Sequence, residues 1–209
     1  MSNRSIIYVD GFNLYYGAVK DTKGKKWLNL EIFFRRLRPH DDVRAIKYFT
    51  TLVDGCASGH QEAYLLALST LPTVEVIYGK FKPKMVRCGV KACSWTGERW
   101  FRVLEEKRTD VNIAVTMMLD VLEDNCDRLV VVSGDSDLVP AISTIKALAP
   151  GKQITVYVPA RNLIRGAAVE IRAAADKHRT LPNDLIAKSQ FPATIRDGKG
   201  GYIQRPQDW

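Results

Sequence analysis

The residues of this chain whose types and placement could do chemistry are acidic. Asp10 follows the apolar run 5-SIIYV-9, Asp135 and Asp137 stand in 133-SGDSD-137 directly after 128-RLVVV-132, and Asp110 falls in the first turn of a helix behind a Thr109 cap. The runs before Asp10 and Ser133 are the pattern of strands buried on both faces. In an open α/β sheet, ligands bind beyond the carboxyl ends of such strands, so three separate segments are expected to bring four carboxylates to one cleft. Each carboxylate also has an ordinary structural reading. Asp110 complements a helix dipole, Asp135 or Asp137 caps the helix that follows, and Asp10 belongs to an Asp-Gly turn. Those readings leave the gathering unexplained, because neither VDGFN nor SGDSD holds a Lys or Arg to offset the mutual repulsion. A hard divalent cation offsets it. Mg2+ or Mn2+ takes carboxylate oxygens and keeps waters for a phosphate, which points to phosphodiester hydrolysis.

The overall charge suits a polyanionic substrate. Lys and Arg number 31 against 23 Asp and Glu, a formal net charge of +8. Segment 80–108 concentrates the excess in Lys80, Lys82, Lys84, Arg87, Lys91, Arg99, Arg102, Lys107 and Arg108, interleaved with Phe81, Trp95, Trp100 and Phe101. Cations for phosphates beside aromatic faces for bases make a single-strand contact surface, with Lys82, Lys84, Arg87 and Arg102 the expected contacts. A solvated loop with its aromatics packed beneath is an equal alternative. The three histidines, His40, His60 and His178, are scattered and read as surface residues. Four cysteines without a secretory signal argue against a disulfide framework; Cys88 and Cys93 in 88-CGVKAC-93 have the spacing of half a structural Zn2+ site, while free buried thiols are the default for these and for Cys56 and Cys126. No apolar run approaches a membrane span, and MSNRSIIYVDGFN enters a strand without a signal-peptide core, so a cytoplasmic protein with no membrane contact is expected.

The elements that must position these residues alternate. SIIYV (5–9), VRAIKYFTTLV (43–53), TVEVIYGKF (73–81), RLVVV (128–132) and ITVYV (154–158) read as strands. Between them FNLYYGAVK (12–20), NLEIFFRRL (29–37), HQEAYLLALSTL with a Ser58/Gln61 capping box, and 138-LVPAISTIKAL-148 read as helices, Pro140 being harmless in a first turn. In the helix behind Thr109, Val111, Ala114, Val115, Met118, Leu119 and Leu122 repeat at helical spacing and are expected in the core. The pattern predicts one domain over 1–182, a mostly parallel sheet between helical layers with a basic insertion at 80–104. Residues 183–209 lose periodicity and read as a flexible or partner-ordered tail.

Three stretches carry a family resemblance: VDGFNLYY (9–16), EKRTDVNIAVTM (106–117) and VVSGDSDLVPAI (131–142) resemble, in order, the motifs of the NYN domain, in the LabA-like branch of the PIN-like nuclease superfamily. The resemblance spans about residues 5–181. It implies a PIN-like α/β/α sandwich and a metal-dependent ribonuclease in which Asp10, Asp110, Asp135 and Asp137 hold Mg2+ or Mn2+. It further implies that Asn13 orients substrate or a water, that Lys107 contacts phosphate, and that Ser133 and Ser136 bond the carboxylates or the phosphate. Leu138 replaces the Phe usual after SGDSD, a change in packing only, and the insertion is longer than a minimal NYN domain needs. The expected partner is RNA, single-stranded by the aromatic insertion, and self-association is left open. An RNA-binding or regulatory NYN protein with little activity is the chief alternative, and a metal-dependent phosphatase of small molecules another.

Overall fold

The computed structural model describes residues 3–53, 58–159, 168–207 and 209; Cys56 and the Ser58 side chain lie outside them. In chain order the elements are β1 (Arg4–Asp10), α1 (Gly11–Leu14, continued by a π-helical turn over Tyr15–Val19), α2 (Leu30–Leu37), β2 (Asp42–Thr50), α3 (Ser58–Ser69) and β3 (Val74–Tyr78). A pair of strands follows, β4 (Lys80–Arg87) and β5 (Trp100–Lys107), then α4 (Thr109–Leu122), β6 (Arg128–Val132), a 3-10 turn over Ser136–Leu138, α5 (Val139–Leu148) and β7 (Gln153–Val158). The chain closes with α6 (Val169–Ala174), β8 (Lys177–Thr180), α7 (Asn183–Lys188), β9 (Thr194–Arg196) and β10 (Tyr202–Gln204).

Six strands form one parallel sheet in the order β3-β2-β1-β6-β7-β8. Strand alternation sends Ile7, Val9, Val130 and Val132 into one core with α1, α2 and α3, and Ile6, Tyr8, Leu129 and Val131 into another with α4 and α5. The result is the expected α/β/α sandwich. The order reverses at β1 and β6, so the crevice beyond their carboxyl ends is the topological switch point at which such sheets bind ligands.

Several expectations change. TVEVIYGKF is not one strand: it breaks at Gly79, where a Cβ would meet the Thr51 and Thr109 hydroxyl oxygens at 2.5 and 2.7 Å, and β4 leaves the sheet to pair antiparallel with β5. The basic insertion is therefore a two-stranded ribbon. Secondly, α4 buries a different face: Thr109, Ile113, Met117 and Asp120 point inward, while Val111, Val115, Leu119 and Leu122 are exposed. The helix is apolar nearly all round, so spacing could not choose its inner face. Its polar contacts did. Asp120 accepts from the Tyr8 hydroxyl at 2.8 Å and pairs with Lys47 at 2.7 Å, a buried network that fixes the helix rotation.

Thirdly, KHRT forms β8 although it lacks an apolar pattern; as an edge strand it is exposed and needs only backbone pairing with β7. Lastly, residues 183–207 and Trp209 are packed rather than a free tail. Ile186, Phe191 and Ile203 are buried, the Trp27 indole donates to the Pro192 carbonyl at 2.9 Å, and Trp209 packs edge-on against Trp27. The hydrophobic residues of this stretch are too widely spaced for a periodic signal, and they meet their partners only across the fold. Cys126 is a buried free thiol as expected, but Cys88 and Cys93 are half-buried free thiols at the ribbon's far end. Among the described residues, no helix is long and apolar enough to cross a membrane.

Candidate active site

Asp10 ends β1 beside Phe49 of β2 and is almost fully buried. Its Oδ1 accepts from the Asn13 backbone N–H at 2.9 Å, which caps α1, and its Oδ2 accepts from Asn13 Nδ2 at 2.6 Å and from the Ser133 hydroxyl at 3.1 Å. Burial raises its pKa against these three bonds. Gly11 must follow: a Cβ there would meet the Phe49 carbonyl and the Tyr48 ring and hydroxyl at 2.7 Å.

The second acidic loop is tied to the first. Asn13 Oδ1 accepts from the Gly134 N–H at 3.1 Å, and the buried Ser133 Oγ accepts from the Asp135 N–H at 3.1 Å. Asn13 is thus a strut joining the loops after β1 and β6. Asp135 caps the 3-10 turn by accepting from the Asp137 N–H at 3.0 Å, and Leu138 fills the second core with no exposure. Asp135 is half-buried; Ser136 and Asp137 are exposed.

Asp110 arrives from α4. The backbone of Arg108 turns through the left-handed region at φ 81°, so Arg108 takes the cap position and Thr109 is already helical, its hydroxyl donating to Glu106 Oε1 instead of capping. Burial and then the charges of Asp135, Asp10 and Asp137 push the Asp110 carboxyl up to about 6. This mutual repulsion marks the convergence of the four carboxylates.

Glu106 is a fifth. Burial, then the charges of Asp10 and Asp110, raise its carboxyl to about 7, against a weak bond from the Thr51 hydroxyl. The sequence offered one hint, its place in the EKRTD stretch, but strand parity decides its role. On the β4–β5 ribbon, Phe81, Glu106, Pro83, Leu104, Met85, Arg102, Arg87 and Trp100 form cross-strand pairs on one face, and Phe81 packs edge-on against Phe12 at 5.9 Å, fixing that face toward the cluster. Lys80, Lys82, Lys84, Glu105 and Lys107 occupy the other face, where Glu105 pairs with Lys107 at 3.2 Å and Lys84 at 3.5 Å. The expected phosphate contacts are therefore divided: Arg87 and Arg102 share the acidic face, whereas Lys82, Lys84 and Lys107 lie opposite.

A family profile for the NYN domain matches residues 4–185. The chain belongs to the NYN domain family. NYN domains fall in the PIN-like nuclease superfamily, which supports a hydrolase in general terms; the match does not single out the LabA-like branch. The chain is also similar to 6-hydroxy-3-succinoylpyridine 3-monooxygenase HspA of Pseudomonas putida, 29% identical over 238 residues covering 99% of this chain and 75% of that protein. In fold it resembles a protein of unknown function from Vibrio parahaemolyticus, with a TM-score of 0.57 and 20% identity over 88% of this chain and 95% of the other.

Proposed function

We propose that this NYN domain is a metal-dependent endoribonuclease acting on single-stranded RNA. The observation that carries the reading is the gathering of acids at the switch point: Asn13 and Ser133 bond the buried Asp10 to the Asp135 loop, and the charges of Asp10 and Asp135 reach both Asp110 and Glu106. Among the described residues, no three acidic, Cys or His side chains stand close enough to hold one ion. The donor chemistry nevertheless fits Mg2+ or Mn2+: hard carboxylate oxygens without thiolate or imidazole. Asp110, Asp135 and Asp137 are partly or fully exposed and retain the rotamer freedom to close on an ion. When bound there, the ion supplies an activated water and offsets charge on the phosphate.

The chain's own residues do the positioning. Asn13 and Ser133 orient the buried Asp10 and couple it to the Asp135 loop, so two ligand loops move as one. Arg102, Arg87 and Trp100 extend from the cluster along one ribbon face and suit a strand's phosphates and a base. The same reading keeps the chain in the LabA-like branch and in the cytoplasm. Labelled single- and double-stranded RNA and DNA, incubated with Mg2+, Mn2+ or EDTA, test it: cleavage of single-stranded RNA with either metal and none in EDTA is expected, and uncut RNA with both metals would refute it.

A second reading follows from the Pseudomonas putida relative, whose similarity runs through 99% of this chain. Under it, the protein oxygenates a pyridine-type substrate. Oxygen uptake dependent on such a substrate and a reductant would establish it.

A further inference from the structure

Beside the acid cluster lies a cavity of about 260 Å³ that none of the proposed nuclease chemistry uses. Its walls are aromatic: Phe12, Tyr15, Tyr16, Tyr48, Tyr64 and Trp209. It shares a boundary with the cluster, because Gly11 and Phe12 directly follow Asp10 and because the charge of Asp10, after burial, helps to raise the Tyr48 pKa. Tyr64 and Trp209 stand 5.9 Å apart between ring centroids, and Tyr48 and Tyr64 6.1 Å apart, so flat faces and edges line the space.

Polar groups also face the cavity, Thr50, His60 and Gln61 among them, and two kinds bear on the choice of an occupant. The Tyr64 hydroxyl is committed to the Leu28 carbonyl at 3.0 Å, but the Tyr48 hydroxyl, on a side chain more than nine-tenths buried, donates no hydrogen bond to any described residue. A cavity-lining hydroxyl with no protein acceptor is available to donate to a ligand that brings one. At the rim, Lys20 Nζ lies 4.9 Å from the centroid of Tyr16 and Lys26 Nζ lies 5.9 Å from that of Trp209, neither engaged by a carboxylate among the described residues. Their positive charge balances an anion.

We infer that this cavity is a binding subsite for a planar aromatic or heteroaromatic ring that carries a hydrogen-bond acceptor for Tyr48 and an anionic group for Lys20 and Lys26. Aromatic walls favour a flat ring over an aliphatic chain, and the cationic rim selects its charged end. Two sources share this chemistry: the base and phosphate of a nucleotide, and a free heteroaromatic acid. The subsite stands whichever reaction the acid cluster performs.

Calorimetric titration of the intact protein in EDTA with 5′-AMP, nicotinate and ribose 5-phosphate tests it. At least one aromatic probe is expected to bind saturably, with Kd below about 1 mM and at least ~10-fold more tightly than ribose 5-phosphate. Lys20→Ala/Lys26→Ala, which alters only rim residues, should weaken that probe about 10-fold, and Tyr48→Phe about 5-fold. Preference for 5′-AMP identifies a nucleobase subsite; preference for nicotinate identifies a free aromatic acid. The inference is overturned if neither aromatic probe binds, if ribose 5-phosphate binds as well, or if the folded lysine double variant keeps wild-type affinity. RNA cleavage by the same preparations reports separately on the nuclease reading.

Discussion

The acid cluster and the β4–β5 ribbon are neighbours built on opposite physical terms. Asp10 and Ser133 sit at the ends of adjacent central strands, buried, with their side-chain oxygens committed to named donors. The ribbon is a two-stranded element, exposed along most of both faces and anchored near its base by Phe81 on Phe12 and by Glu106 against Thr51 and Thr109. An isolated hairpin of this kind is marginally stable, so its shape depends on that anchor. The contrast separates precision from reach. Groups that must hold a fixed geometry stand on the sheet, while groups that follow a long polyanion stand on a strip that solvent surrounds.

The largest way to test this division is through the sheet. Asp10→Asn or Asp135→Asn should lower RNA cleavage by more than ~10³-fold and remove the rise in Tm that Mn2+ gives the wild type, with the fold retained. A loss below tenfold in either variant would break the assignment. Glu106→Gln comes next, with cleavage falling by something like 100-fold, because this carboxylate carries the ribbon's contribution into the cluster.

Glu106 also ties stability to pH. Its folded pKa of about 7 and that of Asp110, about 6, lie above their ordinary values of 4.5 and 3.8, so the fold favours their protonated forms. The stability they contribute is full below about pH 4 and is lost as pH rises through 6 to 7. Urea unfolding in EDTA should therefore show a falling midpoint between pH 4 and 8, flattened in Glu106→Gln. A slope unchanged by that substitution would assign the pH dependence elsewhere.

Asn13→Ala should cost about 1–2 kcal/mol of stability and slow cleavage ~30-fold with RNA affinity nearly intact, since it removes the strut between the two loops. On the ribbon, Arg87→Ala/Arg102→Ala should weaken RNA about 10-fold and reduce the salt slope by about 2, whereas Lys82→Ala/Lys84→Ala, on the far face, should cost about 3-fold. Equal losses would mean that RNA wraps both faces. The smallest effect is expected at Lys107→Ala, less than ~3-fold in affinity or rate, because its ammonium pairs with Glu105 on the face away from the cluster. A larger loss there would sharpen the picture differently, by showing that the lysine swings inward when RNA binds.

Much of this was legible in residue order. Apolar runs ending in VDGFN and SGDSD specify strands whose carboxyl ends bear acids, and the alternation of strand and helix specifies a parallel sheet. These are local properties, written in adjacent residues. What adjacent residues could not write is which surfaces meet. Glu106 reads as one charge among many until strand parity turns it inward, and α4 presents two apolar stripes of which a lysine on β2 and a tyrosine on β1 select one. The stretch after Pro182 looks unstructured because Phe191 and Trp209 find their partners at Trp27 and Tyr64, and Ile203 joins the same core, all far away in the chain. The sequence by itself determined the central strands, the helices between them and the acids at the strand ends, because periodicity and strand termini are short-range. Only the tertiary structure decided which faces turn inward, because burial is settled between segments distant in sequence.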